Sequence, residues 1–221
     1  MKSSKDRPGI RLVIFDLDGT LIDSAKDIAG SVNSLRKLMG QPPLTEKRVI
    51  AGIGQGVRHL LSKTVPRNIL LKHPTAAEDF RKIYLDRSTR YTKLFPGGRA
   101  LLKGLHKRGI KLAVASNKPS ILSGKILRNL RISNLFSAVL CGDRVRNPKP
   151  HPESIQILMR RFRVSPRDTL MVGDSRFDME AGKSAGTLLA ATTFGFGTRK
   201  ELARYKPDIW ISRLTSLLKA V

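Results

Sequence analysis

The chain contains one cysteine, Cys141, in 221 residues. No disulfide can therefore close within it, and no cluster of thiolates can hold a metal. No apolar run approaches the roughly 20 residues that a membrane helix needs, so no membrane association is expected. The charged residues at 1–8 lead to no apolar segment with a cleavage site, because the run at 10–15 is short and ends in acids. No secretion signal is expected, and a cytoplasmic location is the simplest expectation. A P-loop is missing, which disfavours hydrolysis of nucleoside triphosphates by that route. Zinc-finger, basic-zipper and basic-aromatic RNA-binding patterns are missing too.

Acids are also scarce: 17 Asp+Glu face 42 Lys+Arg, a net charge of +25. Such an excess favours anionic partners and could hold nucleic acid without sequence preference. The basic residues are nevertheless scattered, with only short clusters such as Arg160-Arg161-Phe162-Arg163 and Lys107-Arg108. A generally basic surface that attracts a small anionic phosphate ester is the stronger reading, and a dedicated nucleic-acid site the weaker one. Both a monomer and a homodimer are compatible with the sequence.

Hydrophobic residues make up 40% of the chain, enough to bury a substantial core. Residues 1–9 read as a polar, loosely held start and 10–15 as a first strand. From Ala25 to Leu38 apolar residues recur at helical spacing, with Asp23 or Ser24 as caps and the Gly40-Gln41-Pro42-Pro43 stretch as the stop. A helical segment near 45–50, a glycine-rich loop at 51–56, a helix carrying Val57, Leu60 and Leu61, and a helix over 75–90 follow. After Leu94-Phe95-Pro96-Gly97-Gly98 the texture changes. Short strands at 110–115, 136–140, 169–172, 187–191 and 208–210 alternate with helices, the pattern of a parallel sheet covered on both faces. The fold class expected is α/β, with a Rossmann-like sheet and a small inserted helical domain. Residues 1–21 and 93–221 form the core in this reading, and 22–92 the insertion.

In such folds the loops at the carboxyl ends of the strands gather at one crevice. Four of them are polar in complementary ways. Asp16-Leu17-Asp18-Gly19-Thr20 ends the first strand, and Ser116-Asn117-Lys118 ends the second. Asn147-Pro148-Lys149-Pro150 precedes the helix near 152, and Gly173-Asp174-Ser175-Arg176-Phe177-Asp178 follows the strand at 169–172. Together these residue types suit phosphoryl transfer. A carboxylate can attack phosphorus, and the acid two residues on can move protons. Ser116 can donate to a phosphoryl oxygen and Lys149 can offset charge. Asp174, with Asp178, completes an all-oxygen site suited to Mg²⁺.

These motifs resemble the haloacid dehalogenase-like (HAD) superfamily of phosphatases. The resemblance spans about residues 10–210 and implies Asp16 as nucleophile and Asp18 as general acid/base. It implies phosphate binding by Ser116, Asn117 and Lys149, and Mg²⁺ held by the Asp16 and Asp174 side chains with the backbone carbonyl of Asp18. Asp178 would orient Lys149 or a metal-bound water. The second aspartate argues against the dehalogenase branch. Ile53-Gly54-Gln55-Gly56, Phe95-Pro96-Gly97 and Cys141-Gly142-Asp143 are similar to the phosphoglycolate phosphatases, which makes 2-phosphoglycolate the expected substrate. A phosphatase or mutase for another small ester or for pyrophosphate, and a basic nucleic-acid-binding protein on this scaffold, remain alternatives. Substrate choice would fall to the insertion, with Gly54, Gln55, Gly56, Arg58 and His59 as the candidates.

Overall fold

The computed structural model describes residues 9–221; of the polar start expected at 1–9, all but Gly9 lies outside the described residues. Strand β1 (Leu12–Phe15) leads through a tight turn into the two-residue strand β2 (Ile22–Asp23). Helices α1 (Ala25–Leu38), α2 (Glu46–Ile50), α3 (Gly56–Thr64), α4 (Arg67–Lys72) and α5 (Ala76–Arg87) follow. The short strand β3 (Lys93–Leu94) closes this block. Next come α6 (Gly98–Lys107), β4 (Lys111–Ser116), α7 (Ser120–Asn129), β5 (Ala138–Cys141) and α8 (Glu153–Phe162). Then β6 (Thr169–Gly173), α9 (Arg176–Ser184), β7 (Leu188–Thr192), α10 (Arg199–Leu202) and β8 (Ile209–Ile211) lead to a 3-10 turn at Leu214–Lys219.

Among the described residues the main sheet has six parallel strands in the order β5-β4-β1-β6-β7-β8. Strand β1 is apolar at every position because both of its faces are covered. Val13 and Phe15 pack with Leu101, Leu105 and Leu214 on one side, and Leu12 and Ile14 with Ile155, Leu158 and Met179 on the other. The chain runs outward from β1 in both directions, so the carboxyl end of β1 is the point where strand order reverses. A crevice must open there. Asp16 leaves β1 at that point, between the ends of β4 and β6.

Helices α1–α5 bury a separate cluster of Ile28, Val32, Leu35, Leu60, Leu61, Phe80 and Tyr84, joined to the core through Leu122 of α7. The pairing of β2 with β3 went unread in the sequence, since two residues carry no period. It sets Ile22 opposite Leu94 and Asp23 opposite Lys93, so both chain crossings into the helical block lie side by side.

Asp27 locks this junction from the first turn of α1. Its Oδ2 accepts the N–H groups of Tyr91 (2.9 Å) and Thr92 (2.8 Å) and the Thr92 hydroxyl (2.7 Å), and it is fully buried. Asp27→Ala strands three donors, two of them buried. It should cost about 3 kcal/mol and lower the melting temperature by about 6–12 °C. An unchanged melt would show that these bonds contribute nothing net.

Ser24 departs from its expected place as a helix cap. Its hydroxyl donates to Asp18 Oδ1 at 2.5 Å instead, and Asp23 Oδ1 takes the Ala25 N–H at 3.3 Å. The charged oxygen of Asp18 is the stronger acceptor, so it wins the hydroxyl.

Candidate active site

Asp16 follows directly on β1, and its N–H is held by the Val172 carbonyl at 3.0 Å. Lys149 Nζ donates to Asp16 Oδ1 (2.9 Å) and Asp178 Oδ1 (2.5 Å). Asp178 Oδ2 accepts from the N–H (3.0 Å) and hydroxyl (2.6 Å) of Ser175, the reciprocal cap that starts α9. Asp174 lies at the end of β6, with Oδ1 taking the Thr20 hydroxyl (2.7 Å) and Oδ2 the Phe196 N–H (2.7 Å). Carboxylate oxygens of Asp16, Asp174 and Asp178 come within 4.8 Å of one another, and all three residues are buried.

Two glycines make this crowding possible. Gly19 has φ +84°, and a Cβ there would lie 2.2 Å from Asp174 Oδ2. A Cβ on Gly195 would lie 2.2 Å from Asp174 Cβ and 2.4 Å from the Gly19 carbonyl oxygen. The Phe194-Gly195-Phe196-Gly197 loop therefore closes over Asp174 through its backbone.

Three acids face one lysine here, a deficit of two positive charges. Burial pushes Asp16 up to about 6, against the pull of Lys149. Burial, with Asp178 and Asp16 adding repulsion, pushes Asp174 up to about 8. Burial alone would lower Lys149, but the two carboxylates hold it above the ordinary lysine range. A divalent cation among hard oxygen donors is the group that fits this deficit.

Asp18 stands apart from that cluster. Lys118 Nζ donates to both of its oxygens (2.9 and 2.7 Å) and to the Tyr84 hydroxyl (2.8 Å). Lys118 is 6% exposed, and Asp18 with Tyr84 keeps it protonated against the burial that would strip its charge. The sequence marked Lys118 only as a neighbour of Ser116, and Tyr84 only as part of the helix expected over 75–90. Tyr84 sits on the apolar face of α5, where periodicity cannot tell a ring from a ring with a working hydroxyl.

Ser116 ends β4 and lines a cavity of about 440 Å³ over the acids, where its one polar contact is long (3.4 Å, from the Lys118 N–H). The Asn117 side chain is engaged within the protein. That amide donates to the Gly54 (2.8 Å) and Lys149 (2.7 Å) carbonyls and accepts the Lys149 N–H (3.0 Å), so it positions Lys149 and the Gly54 loop. Gly54 and Gly56 line the cavity, whereas Gln55 and Arg58 do not. Helix α3 turns Val57, Leu60, Leu61 and Thr64 inward and leaves Arg58 and Ser62 on its outer side, while His59 and Lys63 flank the cavity. An i, i+4 pair on an amphipathic helix was the available signal for Lys63. No helix of the described residues is long and apolar enough to cross a membrane.

A family model described as haloacid dehalogenase-like hydrolase matches residues 13–192. A phosphoglycolate phosphatase of Aquifex aeolicus is 39% identical over 210 residues, covering 95% of this chain and 96% of its own. Phosphoglycolate phosphatase 1 of Pseudomonas aeruginosa is 34% identical over 216 residues, covering 94% and 78%. Among solved structures, a predicted phosphoglycolate phosphatase from Haemophilus somnus superimposes with a TM-score of 0.90 at 31% identity, over 96% of this chain and 98% of that one.

Proposed function

Because this chain belongs to the haloacid dehalogenase-like hydrolases, we propose that its reaction is Mg²⁺-dependent hydrolysis of 2-phosphoglycolate through an aspartyl-phosphate on Asp16. The observation that carries this reading is the charge deficit around Asp16 at the sheet's switch point, with a cavity directly above. The relatives' names supply the substrate.

Asp16 attacks phosphorus, and the ester P–O bond breaks as the leaving oxygen takes a proton from Asp18. Asp18, now a carboxylate, takes a proton from the water that attacks the aspartyl-phosphate, and phosphate leaves. Ser116 donates to a phosphoryl oxygen, and Lys149 holds Asp16 in line and offsets its charge. Asp16, Asp174 and the Asp18 carbonyl would hold the metal. Asp178 braces Lys149 through Oδ1, while its Oδ2 caps α9 through Ser175. Bound there, the ion lowers repulsion between the nucleophile and the phosphoryl oxygens.

Phosphate release measured on phosphoglycolate, sugar phosphates, nucleotides and pyrophosphate tests this. The highest kcat/KM should fall to phosphoglycolate, with activity lost in EDTA and restored by Mg²⁺. Undiminished release in EDTA removes the metal from the reading, and a faster sugar phosphate removes the substrate.

Metal binding has a second readout. Asp16 and Asp174 have folded pKa values above the ordinary aspartate value of about 3.9, so the folded state binds their protons more tightly. Their ionisation weakens the metal-free fold progressively as pH rises from about 4 through about 8. Protons and metal compete for the same oxygens. Mg²⁺ at about 100 times its Kd should add about 2.7 kcal/mol, a rise of about 5–10 °C in melting temperature above pH 8, and little at pH 5. An increment equal at both pH values would place the ion elsewhere.

A further inference from the structure

Beyond the reacting phosphoryl group, the cavity wall has a definite chemical character. Most of its hydroxyl and amide side chains already hold a partner. The Tyr84 hydroxyl holds Lys118, the Asn117 amide holds backbone, and the Ser175 hydroxyl holds Asp178. Thr198 caps α10, and Ser116 lies down at the strand ends beside Asp16. The two buried lysines at the floor are bound to carboxylates. Ile50, Ile53, Val57 and Leu60 supply apolar surface on the helical side.

Two cations on the wall remain, beside the carboxylate of Glu201. Lys63 on α3 lines the cavity and has no carboxylate within 4 Å among the described residues. Arg176, the first residue of α9, lines the opposite, sheet-side wall. Its guanidinium rests over the Phe177 ring at 4.8 Å, and only Nε approaches an acid, Glu201, at 3.8 Å. Most of its donor fork is therefore free. His59 lies one turn before Lys63 on the same face, and burial together with Lys63 and Arg176 lowers its pKa, which places all three in one positive field.

We infer that Lys63 and Arg176 form a subsite for a second anionic group on the leaving alcohol, one contributed by the helical block and one by the sheet domain. The selected substrates are short phosphomonoesters whose alcohol ends in a carboxylate or a second phosphate. A second anion finds two largely free cations on this wall, and a neutral polyol gains nothing from their charge. This inference rests on the phosphatase reading above and names the groups that would choose its substrate. Because the two cations belong to different parts of the chain, one anion bridging them also ties the helical block down over the acids.

The test compares 2-phosphoglycolate with 2-hydroxyethyl phosphate, which replaces the carboxylate by a neutral hydroxymethyl group, and with ethylene glycol bisphosphate. Each is assayed with Mg²⁺ on the parent, Lys63→Met, Arg176→Met and the double variant. The parent should favour phosphoglycolate over the neutral ester by about 100-fold in kcat/KM. Each single variant should raise KM for phosphoglycolate about tenfold or more and leave the neutral ester nearly unchanged, and Lys63→Arg should restore most of the loss. A double variant that keeps the parent's preference overturns the subsite. So does a parent that favours the neutral ester. Hydrolysis of p-nitrophenyl phosphate separates the two readings: if it persists and depends on Asp16 while the preference does not depend on Lys63, the phosphatase reading stands and the subsite falls. If the bisphosphate alone is hydrolysed, in a Lys63-dependent way, the subsite stands and phosphoglycolate falls.

Discussion

Asp16→Asn should abolish phosphate release, lowering kcat by at least about 10³-fold, because an amide oxygen cannot form the acyl phosphate. The same substitution should leave the metal-free protein as stable as the parent, or more so, above pH 7. Asp16 is buried beside Asp174 and Asp178, and burial raises it to about 6. A carboxylate with a raised folded pKa costs stability once pH passes that value, and asparagine removes the cost while its Oδ1 still accepts from Lys149. Loss of activity with retained or raised melting temperature is the signature of a group kept for chemistry against the interest of the fold. Loss of both would mark Asp16 as structural. Retained release would remove it as the nucleophile: Asp174 is held by Thr20 and Phe196, Asp178 by Lys149 and Ser175, and Asp18 by Lys118.

The order of strands and helices was legible because β1 and β4 are apolar runs buried on both faces, and α6 and α8 carry clean one-sided patterns. Asp16, Lys149, Asp174 and Asp178 were legible for a related reason. Asp16 and Asp174 follow recognisable strands and Asp178 lies in the first turn of α9, while Lys149 lies in the loop between β5 and α8 and was read from its Lys-Pro motif. Less legible was where polar side chains turn once partners outside their own helix or turn compete for them. Ser24 turned to Asp18 rather than to its own helix, and the Asn117 amide was taken by Gly54 and Lys149. The β2–β3 pair is too short to show a period. Arg58 and Lys63 differ only in which side of α3 they occupy, which depends on how the helix sits over the cavity. The +25 charge is left largely unoffset by local pairing. Most of the acids that could offset it are used in the site, in helix caps or under backbone N–H groups.

Lys118→Met should lower kcat by about 100-fold with KM changed less than about threefold, and should cost about 3 kcal/mol of stability. Lys118 is the centre of a chain from Tyr84 on α5, through Asp18, to Ser24 at the start of α1. Removing its ammonium leaves Asp18 as a largely buried carboxylate with one hydroxyl partner, and leaves the Tyr84 hydroxyl with none. Asp18 must both give and take a proton in the proposed reaction, so its placement over the leaving oxygen sets the rate, while substrate binding rests on other groups. That separation predicts a double-mutant result. Asp18→Asn removes the charge that Lys118 neutralises, so adding Lys118→Met to Asp18→Asn should cost less stability than Lys118→Met alone, by about 1–2 kcal/mol. In the Asp18→Asn background the lysine substitution should lower kcat by less than about threefold, because the group it positions is already gone. A further hundredfold loss in that background would mean that Lys118 touches the substrate directly. Additive losses of stability would mean that Asp18 and Lys118 act independently despite their two short contacts.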